Sequence, residues 1–153
     1  MIIAGTGHRP NKLGGYDVHT QTRLIALAMS GLRELNPKIV ISGMALGWDQ
    51  ALARAALELK IPFHAYVPFI GQENMWPRES QQAYTDLMRK ASDLVICSPG
   101  GYSAPKMQIR NQRMVDDCTD ILALWDGSSG GTANCIKYAR DLKLKPIYNL
   151  WAR

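Results

Sequence analysis

Short apolar runs alternate with amphipathic segments along the whole chain. Six runs have the length and apolar character of buried strands, at residues 1–4, 38–41, 61–67, 93–97, 121–125 and 146–150. Between most of them, apolar residues recur at three- and four-residue spacing, which predicts helices over residues 17–35, 49–60, 79–91, 106–118 and 133–144. This alternation predicts a single α/β domain with a mostly parallel sheet of about six strands and helices on both faces.

Glycines and other small residues follow four of the predicted strands. The clearest case is residues 126–132, DGSSGGT, which lie between an unbroken apolar run and the start of a helix. Glycines at such a point let a phosphate group approach the free N–H groups at the helix start. The carboxyl ends of parallel strands share one edge of the sheet, where ligands bind. The pattern predicts a phosphate-binding site, although each segment alone is also typical of a tight strand-to-helix turn.

Composition and charge narrow the classes of function. The chain has 153 residues and a formal net charge of +5, a mild basic excess that fits an anionic ligand, a nucleic acid or simple solvation. Its 3 cysteines have no metal-type spacing, which favours reduced thiols in a cytoplasmic protein without a bound metal. No stretch approaches the ~18 apolar residues of a membrane span, and the first residues lack the basic region of a signal peptide. We therefore expect neither a membrane partner nor a cofactor.

A series of motifs resembles one known superfamily in a single order along nearly the whole chain. The motifs are GTGHRP at residues 5–10, SGMALGWD at 42–49, PF at 68–69, QENMW at 72–76, RNQ at 110–112, WDG at 125–127 and GGT at 130–132. They resemble the SLOG superfamily, which includes the LOG phosphoribohydrolases and DNA-processing protein A (DprA). The match is best with its YpsA-like branch.

The resemblance implies a single Rossmann-like three-layer domain over residues 1–153, with a site for a nucleotide or nucleotide derivative. It does not specify a reaction. LOG enzymes carry a glutamate shortly after a Gly-Gly-x-Gly-Thr turn, whereas residues 133–137 of this chain contain no carboxylate.

The predicted ligand-binding residues lie at the glycine-rich segments and on the helix over 106–118. They are Gly5, Thr6, Gly7, His8, Arg9, Ser42, Gly43, Met44, Asp49, Arg110, Asn111, Asp126, Gly130, Gly131 and Thr132. If the protein is an enzyme, Asp49 and Glu73 are the candidate catalytic carboxylates, because a carboxylate stabilises a developing sugar cation.

Each of these residues also has a simpler interpretation. Asp49 stands at a helix start, where an N-cap is the ordinary role. His8 is either a general acid or base or a polar contact, and Arg110 either clamps a phosphate or lies on a solvated face. We expect Arg113 to pair with Asp117 four residues on. The aromatic residues Trp48, Trp76 and Tyr102 either stack on a base or belong to the core or a lid.

The sequence supports three hypotheses for function. The first is a protein that binds a phosphorylated nucleoside or nucleotide derivative at the glycine-rich loops. The second is a nucleotide N-glycosidic hydrolase or transferase. The third is a DprA-like single-stranded DNA-binding protein, although the chain has no room for the parts beyond the Rossmann core that DprA also uses. The expected partner is a nucleotide-like small molecule rather than a nucleic acid, and the superfamily also suggests a homo-oligomer.

Overall fold

The computed structural model describes residues 1–151 and contains one six-stranded sheet with the order β4-β3-β2-β1-β5-β6. The strands are β1 (Ile2–Gly7), β2 (Ile39–Ser42), β3 (Phe63–Val67), β4 (Asp93–Ile96), β5 (Asp120–Leu124) and β6 (Ile147–Asn149). The helices are α1 (Val18–Leu35), α2 (Trp48–Glu58), α3 (Arg78–Met88), α4 (Pro105–Asp117) and α5 (Gly131–Lys137). A short 3₁₀ helix covers Pro10–Lys12, and a π-helical turn, Tyr138–Leu142, continues α5.

Every strand pair in this sheet is parallel. From β1 the chain builds outward to β4 on one side, and α4 then carries it back to β5 on the other side of β1. The strand order therefore reverses between β1 and β5. In open α/β sheets a crevice forms beyond the carboxyl ends of the strands at such a point, which makes it the expected place for a ligand.

Helices cover the sheet on both faces. On one face α1, α2 and α3 bury a core around Trp48, Leu52 and Phe63, all 0% exposed. On the other face α4 and α5 pack over a smaller core that includes Val115 and Ile136. The predicted three-layer α/β architecture is confirmed, and the sheet is wholly rather than mostly parallel.

The first strand extends further than the sequence predicted. It was expected to end at Ala4 and to open into a loop, but β1 continues to Gly7. The glycines are there because α2 packs directly on the strand. A Cβ at Gly7 would lie 2.5 Å from Cδ1 of Trp48, and one at Gly5 would overlap Leu52. These two glycines permit close packing of strand and helix, a role that sequence spacing alone does not distinguish from a phosphate loop.

Other predicted boundaries shift by a few residues. Helix α3 begins one residue earlier than expected and ends at Met88 rather than at residue 91. Strand β3 begins at Phe63 because the preceding connection passes through Lys60, whose φ of 58° is left-handed. The three cysteines are free, as predicted. Among residues 1–151 no helix is long and apolar enough to cross a membrane.

Candidate functional site

A cavity of about 490 Å³ opens at the carboxyl ends of β1 and β5, where the strand order reverses. Most of the residues predicted to bind a ligand line it, namely Gly5, Thr6, Gly7, His8, Arg9, Asp49, Arg110, Asn111, Gly130, Gly131 and Thr132. Four segments far apart in the chain thus meet at one site, as parallel strands with a reversal in their order require. We call this space the switch-point cavity.

Two opposite charges are buried in the wall of the switch-point cavity. Arg110 on α4 is 4% exposed, and its Nη1 donates to the carbonyl oxygen of Gly43 at 2.7 Å. Asp49 on α2 is 8% exposed, and its Oδ2 accepts from the N–H of Ala45 at 3.3 Å. A Cβ at Gly43 would lie within 2.9 Å of both charged groups. Only glycine therefore allows this aspartate and arginine to converge on the backbone of the β2–α2 connection.

Burial changes the protonation equilibria of both groups. It raises the pKa of Asp49, while the positive charges of Arg110 and Arg9 oppose the increase. Burial also lowers the pKa of Arg110, and the carboxylate of Asp49 opposes that decrease. Each charge therefore stabilises the ionised form of the other. Arg110 makes a further hydrogen bond, in which its Nε donates to Oδ1 of Asn111 at 3.0 Å.

Asp49 is not the N-cap of its helix, and that interpretation was wrong. Helix α2 begins at Trp48 with Gly47 as its N-cap, so Asp49 occupies the first turn and accepts from Ala45 instead. The φ of Gly47 is 94°, and a Cβ there would lie 2.6 Å from the carbonyl oxygen of His8. The chain after β1 passes too close to this position for any residue with a side chain.

The other predicted residues of the β2–α2 connection lie beneath the switch-point cavity rather than in its lining. Ser42 is fully buried, and its hydroxyl donates to the carbonyl oxygen of Asp49 at 2.7 Å and accepts from the N–H of Met44 at 3.1 Å. Met44 is also buried, with a left-handed φ of 63°. Together with Gly43, these residues hold the start of α2 in place.

Glycines and a helix start form the opposite wall. Gly130 has a φ of 137°, and a Cβ on Gly130 or Gly131 would meet nothing within 4 Å. These two positions therefore face open space within the lining of the switch-point cavity. The first N–H groups of a helix have no intrahelical acceptor, so those at the start of α5 are available to an anion.

A hydrogen-bonded bridge joins the segments after β1 and β5. Nε2 of His8 lies 2.9 Å from Oδ1 of Asp126, and the same oxygen accepts from the N–H of Ser128 at 2.9 Å. Hydrogen bonds from Ser128, followed by the effect of His8, hold the pKa of Asp126 well below its usual range. Lys12 donates to Oγ of Ser128 at 2.6 Å. Asp126 therefore fixes the shape of the site without lining it.

The second candidate catalytic carboxylate lies elsewhere. Glu73 lines a separate cavity of about 370 Å³ beside β4 and α3, together with Tyr84 and Ile96. Its Oε1 is buried and has no hydrogen-bond partner among the described residues. The glycine turn after β4 also lies outside the switch-point cavity, because β4 is at the edge of the sheet. Asp49 and Glu73 therefore do not line the same cavity.

The structure distinguishes between the alternatives left open for Arg113 and for the three aromatic residues. Arg113 pairs with Asp117 at 3.3 Å, as predicted. Trp48 is fully buried and donates from Nε1 to the carbonyl oxygen of Leu122 at 3.3 Å, so it belongs to the core and cannot stack on a ligand base. Trp76 packs edge-on against Tyr84, and the exposed Tyr102 packs edge-on against Phe69. None of these three aromatic residues lines the switch-point cavity.

Some residues that line the switch-point cavity were missed by sequence reasoning. They are Asn11, Lys12, Tyr16, Ala45, Met107, Ser128 and Ser129. The two serines belong to the glycine-rich segment and could have been included on that ground. Tyr16 follows Gly14 and Gly15, whose φ values of 104° and 112° mark a sharp turn. In the part of the chain that the structure describes, no cluster of His, Cys, Asp and Glu side chains is placed to hold a metal ion.

Comparisons with known proteins agree with this architecture. Residues 3–151 match the profile of the YspA SLOG family (YpsA). The chain is 30% identical over 146 residues to the SPbeta prophage-derived protein YoqJ of Bacillus subtilis (strain 168), covering 84% of each sequence.

Two solved structures share the fold. DprA from Streptococcus pneumoniae superposes with a TM-score of 0.68 at 16% identity, and the match covers 96% of this chain but 49% of that protein. DprA from Helicobacter pylori, whose structure describes a single-stranded DNA binding mode, superposes with a TM-score of 0.67 at 15% identity. This match covers 97% of this chain and 64% of that protein. The chain thus spans about half of the first DprA chain and somewhat under two thirds of the second.

Proposed function

The chain belongs to the YspA SLOG family, and from this premise we propose that it binds a phosphorylated nucleoside or nucleotide derivative in the switch-point cavity. The observation that carries the proposal is the convergence of an open glycine wall, Gly130–Gly131, with Arg9 and Arg110 around one cavity of about 490 Å³. A space of this size fits a small ligand such as a mononucleotide.

The two walls suit different parts of such a ligand. The phosphate is proposed to lie against the start of α5, where free N–H groups and the positive helix end favour an anion. Across the cavity, Asp49 and Asn111 offer oxygen and amide groups to ribose hydroxyls. Arg110 is proposed to add positive charge to the wall of the site, while its Nη1 donates to the carbonyl oxygen of Gly43. The free cysteines support the related proposal that the protein is cytoplasmic.

The test is a thermal-shift screen of the protein with AMP, ADP, ribose 5-phosphate and adenosine. A ligand at 100 times its Kd adds about 2.7 kcal/mol, which raises the Tm by roughly 5–10 °C in a domain of this size. We expect Gly131→Val to fold and to lose the shift, because its side chain would enter the cavity from a position with ordinary backbone geometry.

Gly101→Val is the matched control. A Cβ at Gly101 also meets nothing within 4 Å, but this glycine lies after β4, away from the switch-point cavity. It should keep the full shift. An unchanged shift in Gly131→Val, or no shift with any of the four compounds, would contradict the proposal.

An N-glycosidic hydrolase is the second candidate, and one observation favours it. Asp49 is buried, lines the switch-point cavity and has a raised pKa, features that are common in catalytic carboxylates. Incubation with AMP followed by chromatography distinguishes the candidates. Release of free adenine that Asp49→Asn abolishes would identify an enzyme, whereas a stable complex with intact AMP supports binding alone.

A further inference from the structure

A second cavity of about 550 Å³ adjoins the switch-point cavity and has no role in the proposed function. It lies between α1, α2 and the start of α3, and we call it the helical cavity. Tyr16, which is 56% exposed, lines both cavities. The two spaces are therefore neighbours across a single aromatic side chain.

The segment between β1 and α1 forms the partition between the cavities. Arg9 and Lys12 line the switch-point cavity, whereas Pro10 and Gly15 line the helical cavity. Gly15 has a φ of 112°, which other residues rarely adopt, so the turn that presents Tyr16 at the partition depends on glycine. Tyr16 is therefore the side chain that a ligand reaching from one cavity to the other would contact.

The helical cavity has the chemistry of a site for a planar ring. Leu24, Ile25 and Ala51 provide apolar walls, and Arg54 and Glu79 add charged groups to the lining. Gln50 is only 8% exposed and lines the cavity, and its Nε2 donates to the carbonyl oxygen of Met44 at 3.1 Å. That bond fixes the orientation of the amide, and no described residue donates to its Oε1. An acceptor whose orientation is fixed, in the lining of a cavity with apolar walls, is suited to an N–H donor from a ligand.

Building on the proposed function, we propose that the ligand carries two nucleoside-type rings joined through phosphate. Its first nucleotide occupies the switch-point cavity, and the linkage passes Tyr16. Its second ring, which bears an amino group, lies in the helical cavity and donates to Oε1 of Gln50. Tyr16 offers an aromatic face on which either ring can stack.

Isothermal titration calorimetry with ADP, diadenosine triphosphate and the phosphodiester-linked dinucleotide pApA tests this inference. We expect at least one two-ring compound to bind about tenfold or more tightly than ADP, the gain that one stacked base provides. A preference for the triphosphate would identify a dinucleoside polyphosphate, and a preference for pApA would identify a short oligonucleotide. Both outcomes support a two-ring ligand.

Ser80 lies in the first turn of α3 and lines the helical cavity. The substitution Ser80→Trp should therefore fill that cavity. We expect this variant to bind ADP within about twofold of the wild type but to lose the tenfold gain for the two-ring compound. Gln82→Trp is the control, because Gln82 is exposed on the same helix and does not line the cavity. It should keep the gain.

The failures of the two proposals are distinguishable. Equal affinities for ADP and both two-ring compounds would overturn the two-ring inference and leave the nucleotide site intact. The same holds if Ser80→Trp binds the two-ring compound as tightly as the wild type does. If neither ADP nor any two-ring compound binds, the proposed function fails, and this inference fails with it.

Discussion

Arg110 is a buried cation whose environment is built from backbone oxygen and one nearby carboxylate. It is 4% exposed and donates to the carbonyl oxygens of Gly43 and Tyr66 at 2.7 and 3.4 Å. Burial lowers its pKa, and Asp49 is the largest influence in the opposite direction. The residue therefore contributes to the stability of the fold as well as to the charge of the site.

We expect Arg110→Met to lower the free energy of unfolding by about 3–5 kcal/mol, because it leaves the buried Asp49 without its main counter-charge. Urea denaturation followed by fluorescence measures the change. The double variant Arg110→Met/Asp49→Asn should recover part of the loss, since it removes the uncompensated charge.

Arg113→Met on the same helix is the control for this prediction. Arg113 is half exposed, and its ion pair with Asp117 lies at the surface, so its removal should cost no more than about 1 kcal/mol. Similar losses for the variants of Arg110 and Arg113 would show that Arg110 does not depend on a buried charge network.

At this scale the sequence predicted which residues line the switch-point cavity better than it predicted the contacts that they make. The residues after β1 and β5 were expected at the site because glycines and polar residues follow apolar strands. The sequence did not predict that Ser42 and Asp126 act through other residues, since that depends on which atoms they bond across the fold. Glu73 was grouped with Asp49 although the two carboxylates line different cavities, because linear spacing carries no information about which strands are neighbours.

At the scale of elements, the contact between β1 and α2 determines the position of one wall of the switch-point cavity. Gly5 and Gly7 leave room for Leu52 and Trp48, and this brings the first turn of α2, with Asp49, to the end of the strand. The same glycines suggested a loop from sequence, since glycine is equally common where a chain turns and where two elements pack closely.

We expect Gly7→Ala to destabilise the protein by roughly 1–3 kcal/mol, because its methyl group would lie 2.5 Å from the ring of the fully buried Trp48. Denaturant unfolding monitored by circular dichroism gives the value. Gly131→Ala serves for comparison, because its methyl group meets nothing within 4 Å and the stability should stay within about 0.5 kcal/mol. Equal effects of the two substitutions would argue against close strand–helix packing as the reason for Gly7.

At the scale of the whole molecule, the alternation of elements was sufficient to predict a parallel sheet between two layers of helices. The order of the strands was not predictable, because hydrophobic periodicity shows which segments are strands but not which of them are neighbours. In the observed order β4 lies at the edge of the sheet, so the glycine turn after it lies outside the switch-point cavity. Tyr16, which follows the central strand β1, lines that cavity. The sequence thus predicted that the glycine-rich segments meet at one edge of the sheet, and the topology selects which residues line the cavity there.

The overall charge allows a test of the DNA-binding hypothesis. The net charge is +5, but within residues 1–151 the cations that line the switch-point cavity are Arg9, Lys12 and Arg110, two of which already donate to protein groups. We therefore expect weak binding of a labelled oligothymidylate. The slope of log K against log salt concentration should be no steeper than about −2, as for three phosphate contacts.

Fluorescence anisotropy between low and moderate salt measures this slope. Tight binding with a steeper slope would show that cations outside the switch-point cavity contact the strand, and it would favour the DprA-like hypothesis over a small-molecule site. Arg9→Gln should then have little effect on DNA affinity, whereas it should weaken nucleotide binding in the cavity.

The pairing of β1 with β5 also has a consequence for how the protein is made. Ile3 pairs with Asp120, so an inner strand of the sheet waits for a neighbour that the ribosome delivers more than a hundred residues later. Until then one edge of β1 has no backbone partner, and such distant pairings make folding slow. We therefore expect the switch-point cavity, which opens at the ends of these two strands, to be among the last parts of the fold to form.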